Sequence, residues 1–293
     1  MYRSSPLYGR RRSRVRNEAD IYFFLTQAEA EAKLAALKEA AAALESYISA
    51  YPNSRTVGSA RTALARALGG TGDTVAAVGV FQTMLTDPGK YTDIQLFEGG
   101  TAAHAAKRYD DALKLFEAGL QKNPMYRDAL YNTAKTYYDA GRFDKVIDVS
   151  RRLVAVDPNN PDSWLLIAAA YRGMMPPDPG SAGPKAQRDA VNARRKALVD
   201  SVAKYKTMSD SMPVRVADLR LQHAGETHTL TGTIENRSAR PGNYVLKFQF
   251  LDSSGNVVAS QDAPVSVPAQ GRRDVRVVVT KPGIVAFRYR PLG

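Results

Sequence analysis

Leu96-Phe97-Glu98-Gly99-Gly100 is followed 34 residues later by Leu130-Tyr131-Asn132-Thr133-Ala134, and after another 34 by Trp164-Leu165-Leu166-Ile167-Ala168. The step is kept by Ala103, Tyr137 and Tyr171, and in the second half of each unit by Tyr109 with Phe143, Ala112 with Val146 and Pro124 with Pro158. Pro52 and Pro88 continue the series upstream at a slightly longer spacing. A repeat of this length with helical units means stacked helix pairs, each too small to bury its own apolar face. Within Asp111–Lys122 the residues Ala112, Leu113, Leu115, Phe116 and Leu120 form a stripe at three-to-four spacing, and Val146, Ile147, Val149, Leu153, Val154 and Val156 form the next. Asn123-Pro124 and Asp157-Pro158 close those helices, because a residue before proline disfavours helical dihedrals. Gly141 and the Lys107-Arg108 turn separate the two helices of their units, and Gly100, Ala134 and Ala168 fall where paired helices approach closely.

These residues resemble the tetratricopeptide repeat, whose pattern opens on Trp, continues with a Leu-Gly pair and Tyr, and closes with Ala, Phe and Pro. Trp164, Ile167, Ala168 and Tyr171 fit its first half. Leu130, Thr133, Ala134, Tyr137, Val146 and Pro158 fit a whole unit, with Ser150 in place of the second-helix aromatic. Leu96, Gly99, Gly100, Tyr109, Ala112, Phe116 and Pro124 fit another, with Ala103 in place of Tyr. The resemblance is specific over 93–173 and weaker over 57–90, where Gly69-Gly70-Thr71-Gly72 is the expected turn. Residues 28–50 read as one Ala-rich helix ending at Tyr51-Pro52. The last unit is interrupted by a Pro/Gly loop at 174–184, and its second helix is expected over about 185–205, with Val191, Leu198, Val202 and Tyr205 facing inward. Trp164 is expected to be buried in the slot that Leu96 and Leu130 fill in their own units.

After Met212-Pro213 the texture turns from Ala-rich to Val- and Thr-rich. Leu230 and Ile234 alternate with Thr227, Thr229, Thr231 and Thr233. Tyr244, Leu246, Phe248 and Phe250 alternate with Val245, Lys247 and Gln249, and Val275, Val277 and Val279 lie about Arg276. With turn signals at Pro241-Gly242-Asn243, Ser253-Ser254-Gly255-Asn256, Ala269-Gln270-Gly271 and Lys281-Pro282-Gly283, about seven short strands are expected, an immunoglobulin-like β-sandwich. The strand Leu230–Asn236 and the run Phe248-Gln249-Phe250-Leu251-Asp252 resemble the small bacterial sandwich family named for its Phe-x-Leu-Tyr-Asp strand, although Phe250 and Leu251 depart from the named residues. That resemblance implies a secreted or envelope setting. The fold class is therefore multidomain α + β: an Arg-rich arm over 1–19, a helical solenoid over 20–210 and a sandwich over 213–293.

The chain of 293 residues carries 41 Lys and Arg against 29 Asp and Glu, a net of +12, and no Cys, so disulfides and thiolate chemistry are absent. The excess is at the ends. Residues 1–19 hold Arg3, Arg10, Arg11, Arg12, Arg14 and Arg16 against Glu18, while 20–175 are nearly neutral. A whole-surface polyanion binder would be basic throughout. The arm is read either as a solvated tail or as a tether to an acidic partner, RNA or a phosphate-rich surface. Asp20–Leu25 is too short for an export core, so no export signal is expected in the chain as given, cytoplasmic by default, against the envelope setting of the second resemblance. No stretch suits a transmembrane helix.

Enzymatic patterns fail individually. Gly180–Lys185 lacks phosphate-loop spacing, and His104 stands alone. His223 and His228, five apart around a turn, are not expected to face one site. No cofactor, metal or catalytic residue is expected. Asn236-Arg237-Ser238 is a glycosylation sequon by letter only.

The repeat resemblance implies a noncatalytic scaffold that binds other proteins, copies of itself among them, through the groove lined by the first helix of each pair. That register places Phe97, Thr101 and His104, then Asp128, Tyr131, Lys135 and Tyr138, then Leu165, Ala169 and Arg172 on the groove. The reading is a shallow aromatic surface with Lys135 and Arg172 for a peptide's polar groups, against the alternative that Phe97 and Tyr131 are half-buried packing residues. Phe97, Thr101, Asp162 and Leu166 stand where a carboxylate-binding variety would need Lys, Asn or Arg; only Asn132 fits, so no such clamp is expected. The rival function is a polyanion or nucleic-acid binder acting through the arm.

Overall fold

The computed structural model describes residues 18–54 and 56–292. The arm residues Arg10, Arg11, Arg12, Arg14 and Arg16 lie outside them. The described chain runs α1 (Glu18–Ala50), α2 (Val57–Thr71), α3 (Thr74–Thr86), a 3₁₀ turn (Pro88–Lys90), α4 (Asp93–Ala105), α5 (Tyr109–Lys122), α6 (Arg127–Asp139), α7 (Phe143–Val156), α8 (Pro161–Gly173) and α9 (Lys185–Asp210). Six strands follow: β1 (Val214–Ala224), β2 (Thr227–Asn236), β3 (Gly242–Leu251), β4 (Val257–Val267), β5 (Arg272–Thr280) and β6 (Ala286–Tyr289).

The 34-residue step is visible in the helix starts themselves: α4, α6 and α8 begin at Asp93, Arg127 and Pro161, and α5 and α7 at Tyr109 and Phe143. Local chemistry sets these starts. Thr92 and Gln95 form a reciprocal capping box on α4, and Asn160 caps α8 ahead of Pro161. The turn inside each unit needs a left-handed residue at one position. Gly141 supplies it with φ 72°, and Lys107, 34 residues earlier, adopts φ 59°.

Four pairs, α2/α3 to α8/α9, stack behind α1. Phe81, Met84, Leu96, Leu115 and Phe116 fill one core, and Leu130, Val146, Leu153, Val156 and Ile167 a second. Gly100 is small for a reason: a Cβ there would lie 2.6 Å from the buried Phe116 ring. α1 starts about ten residues before the expected helix, since nothing in Glu18–Gln27 breaks it, and α9 runs on to Asp210. The 174–184 loop has no helix or strand, and Arg188 and Arg195 of α9 pin it by donating to the carbonyls of Ser181, Gly183 and Pro176.

Trp164 corrects the expectation. Leu96 and Leu130 are fully buried, but Trp164 is only half-buried, stacked on Tyr205 with its indole N–H donating to the Pro158 carbonyl. Its unit is closed by a long helix at the end of the stack, and no following pair covers it.

The strands form two antiparallel three-stranded sheets, ordered β1-β2-β5 and β4-β3-β6. That is the immunoglobulin-like arrangement, with six strands rather than seven among the described residues. Leu230, Ile234, Leu246, Phe248 and Phe250 are fully buried between the sheets, as their alternation requires. This core draws on residues 214–292 alone, which supports our proposal that 213–293 is a folding unit.

Candidate partner-binding cleft

The sandwich docks on the ends of the first helices through a buried polar junction. Asp157, the C-cap of α7, is wholly buried. Its carboxylate accepts from Arg127 Nε at 2.6 Å, Asn160 Nδ2 at 3.0 Å and the Tyr289 hydroxyl at 2.6 Å. The Tyr289 oxygen in turn accepts from the Asn159 N–H at 3.1 Å. Asn159 behaves as a strand partner: its carbonyl accepts from the Val216 N–H, its amide donates to Val214 and Leu292 carbonyls, and its Oδ1 accepts from the Leu292 N–H. Asn123 repeats the device one unit earlier, donating to Asp93 and to the Val285 carbonyl. Burial raises the Tyr289 hydroxyl far above its ordinary pKa, and the Asp157 charge adds to it, so the phenol stays a donor.

This docking turns the open concave face into a cleft. Phe97, Arg127, Asp128, Tyr131, Asn132, Asn160, Pro161 and Asp162 form one wall, and Ala217, Asp218, Leu219 and Arg220 of β1 the other, around about 420 Å³. The β1 wall is a bulge, where the ladder with β2 slips between Ala217 and Arg220 and Asp218 takes φ 53°. A second, narrower cavity of about 210 Å³ lies alongside, between Asp93, Tyr126, His223 and Phe287.

The groove residues named from the sequence divide between places. Phe97 and Tyr131 reach the cleft, both half-buried. Phe97 also bridges the two cores, with ring centroids 6.0 Å from Phe116 and 5.0 Å from Tyr126, so both the packing role and the groove role apply to it. Thr101 is exposed; its hydroxyl donates to the Phe97 carbonyl and accepts from Asn132. His104 and Lys135 lie further along the helices in a separate network. His104 Nδ1 is 2.8 Å from Thr136 Oγ1, its Nε2 is 3.3 Å from Asp139, and Lys135 donates to Asp139 at 2.7 Å. Tyr138 is exposed, edge-on to Phe143. Arg172 is exposed at the end of α8, without a side-chain partner among the described residues.

The expectation for the other two histidines is wrong in its premise. His223 and His228 are cross-strand partners, and their Nδ1 atoms are 2.7 Å apart. His228 Nε2 is 2.9 Å from the Lys281 carbonyl, which only accepts, so that nitrogen carries the proton and His228 Nδ1 accepts from His223. The turn at Gly225-Glu226 brings the pair together. Among the described residues no group of three or more His, Asp or Glu is placed to hold a metal.

Two histidines have depressed pKa values: burial lowers His104, with Lys135 adding and Asp139 opposing, and burial lowers His223, with His228 adding. Both are neutral in the folded protein at pH 7. A group whose folded pKa lies below its unfolded value contributes stability above the unfolded pKa, here 6.5, and loses it as pH falls through the folded value. Thermal unfolding between pH 7.5 and 5, as rough bounds around the ordinary His range, should show melting temperature falling below 6.5, and the double variant His104→Asn, His223→Asn should flatten that slope.

The geometry defines a class: an α-solenoid of stacked helix pairs whose concave face is completed by an appended sandwich. The tetratricopeptide repeat family model matches residues 103–170, and a second tetratricopeptide repeat model matches 22–54. Residues 103–170 are therefore tetratricopeptide repeats, a family that is characteristically noncatalytic and binds other proteins, and the rest of the helical part continues the same arrangement of paired helices. The 22–54 match falls largely on α1, an unbroken helix in place of a helix pair. No curated protein matches the chain. Similar solved structures include a MamA protein (19% identity, 58% of this chain, 85% of that one, TM-score 0.40) and MamA AMB-1 (18%, 63%, 95%, 0.43). A DUF1425 family member from Shewanella sp. pv-4 is also similar (18%, 27% of this chain, 78% of that one, TM-score 0.24). No helix among the described residues is long and apolar enough to cross a membrane.

Sequence reasoning missed Arg127, Asp157, Asn159, Asp218 and Tyr289. One signal was available for the bulge. Val214 and Val216 point inward at a step of two, but the next buried residue is Leu219, a step of three that breaks the strand's alternation.

Proposed function

We propose that the protein is an assembly scaffold that seats an extended segment of a protein partner in the cleft between α4, α6, α8 and β1. The observation that supports this reading is the cleft itself: aromatic faces at Phe97 and Tyr131, the amide of Asn132, and carboxylates at Asp128, Asp162 and Asp218 on rigid elements. Aromatic surface supplies contact area at small entropy cost, and convergent polar groups fix the orientation of a peptide. His104, Lys135, Tyr138 and Arg172 extend the same concave face beyond the cleft.

Crosslinking mass spectrometry on the affinity-purified full chain tests the reading. Crosslinks and protected sites should concentrate on α4, α6, α8 and β1, and Tyr131→Ala should reduce partner recovery severalfold without lowering the melting temperature by more than a few degrees. Crosslinks confined to α5, α7 or β4 would overturn it.

A further inference from the structure

The carboxylates of the described surface are not equally available. Asp110 pairs with Arg142, Asp111 with Arg108 and Asp139 with Lys135, so these acidic stretches are neutralised within the chain. In the cleft, Asp162 and Asp218 have no ion-pair partner among the described residues. Asp128 shares Arg127 with the buried Asp157. Among the described residues that line the cleft, Arg220 is the cation without an ion-pair partner, so the cleft keeps a negative balance around two half-buried aromatic rings. A surface with carboxylates beside aromatic faces suits guanidinium, which forks onto carboxylates and stacks on rings.

We infer that this cleft seats the Arg-rich segment Arg10-Arg11-Arg12-Ser13-Arg14-Val15-Arg16 of a second copy of the chain. The inference rests on reading the cleft as a docking surface, and it adds the occupant. The chain's own arm is excluded by reach. Leu37 of α1 lies against Gly70, near the C-terminal end of α2, so Glu18–Ala36 extends about 28 Å past that end at 1.5 Å per residue. The cleft is at the other end, since Gly58 at the start of α2 abuts Gln95 at the start of α4. The way back along α1 and α2 is therefore about 48 Å before any sideways step. From Glu18 to Arg10 the chain spans at most about 29 Å when fully extended. The start of α1 and the cleft lie at opposite ends of the helix stack, so each copy can offer its arm to one neighbour and its cleft to another. Such a head-to-tail contact does not pair symmetrically and propagates as a chain of copies.

The test uses two full-length variants in sedimentation velocity at low salt. One carries Arg10, Arg11, Arg12, Arg14 and Arg16→Ser; the other carries Asp162→Asn and Asp218→Asn, Asn being tolerated at the left-handed position 218. Wild type should grow with concentration beyond a dimer. Each variant alone should associate at least about tenfold more weakly, and an equimolar mixture should stop at a one-to-one dimer, arm of one in cleft of the other. Salt at about 0.5 M should weaken every contact. Either variant associating like wild type, a mixture that stays monomeric, or growth that appears only when duplex RNA is added would overturn the inference. If wild type does not self-associate while the cleft variant loses its protein partners, the occupant is wrong and the docking surface stands. If crosslinks avoid the cleft altogether, the reading beneath it fails too.

Discussion

Asp157→Ala should destabilise the protein by about 3–5 kcal/mol, the cost of breaking a buried ion pair by removing one partner. The reason is the company the carboxylate keeps. Arg127 is drawn out of water and has two anionic partners, the wholly buried Asp157 and the exposed Asp128. Burial alone would lower the Arg127 pKa, but the two aspartates outweigh it and the net direction is up. Removing Asp157 leaves a guanidinium with one solvent-facing partner and strands the Tyr289 hydroxyl and the Asn160 amide as well. Because the bonds to Tyr289 join α7 to β6, the loss should appear at the junction first. Hydrogen exchange should rise at Asn159, Val216 and Leu292 more than in β2 or β3. Tyr289→Phe separates the contributions: it leaves Arg127 paired, removes one neutral donor to the carboxylate and the acceptor of the Asn159 N–H, and should cost about 1.5–3 kcal/mol. If Asp157→Ala and Tyr289→Phe have equal effects, the Arg127 pairing contributes little and the electrostatic account is wrong.

The helical repeat was legible because its core is periodic. Most buried positions of α4 and α6 recur at 34 residues, Leu96 to Leu130, Gly99 to Thr133 to Ile167 and Gly100 to Ala134 to Ala168, with Trp164 the exception, and the alternation of β2 and β3 did the same for the sandwich. The junction was not legible, since it depends on single polar residues that have no period. Asp157 reads as a residue before proline and Asn159 as a turn residue; only the docked sandwich turns them into a buried acceptor and a strand partner. The cleft was half legible. The register put Phe97 and Tyr131 on the right face, but the opposite wall, Asp218 to Arg220, comes from a strand some ninety residues further along the chain. Nothing local to the helices announces a contact at that separation.

The second large effect separates the packed interior of the repeat from its end. Phe116→Ala should cost about 3–5 kcal/mol, because the ring is wholly buried and its volume cannot be refilled. It lies between α4 and α5 with Gly100 directly against it and the Phe97 ring 6.0 Å away, so truncation opens a cavity in the first core. Trp164, the larger side chain, should cost less when cut to Ala, about 1–3 kcal/mol, since it is only partly buried at the edge of the second core, stacked on Tyr205 with one hydrogen bond to Pro158. The order is the informative part. By residue type alone Trp should exceed Phe; by position in the stack Phe116 should exceed Trp164. Denaturant unfolding of the two variants decides between them. If Trp164→Ala is as costly as Phe116→Ala, the last pair is as well packed as the middle ones, and α9 buries more of Trp164 than the structure allows.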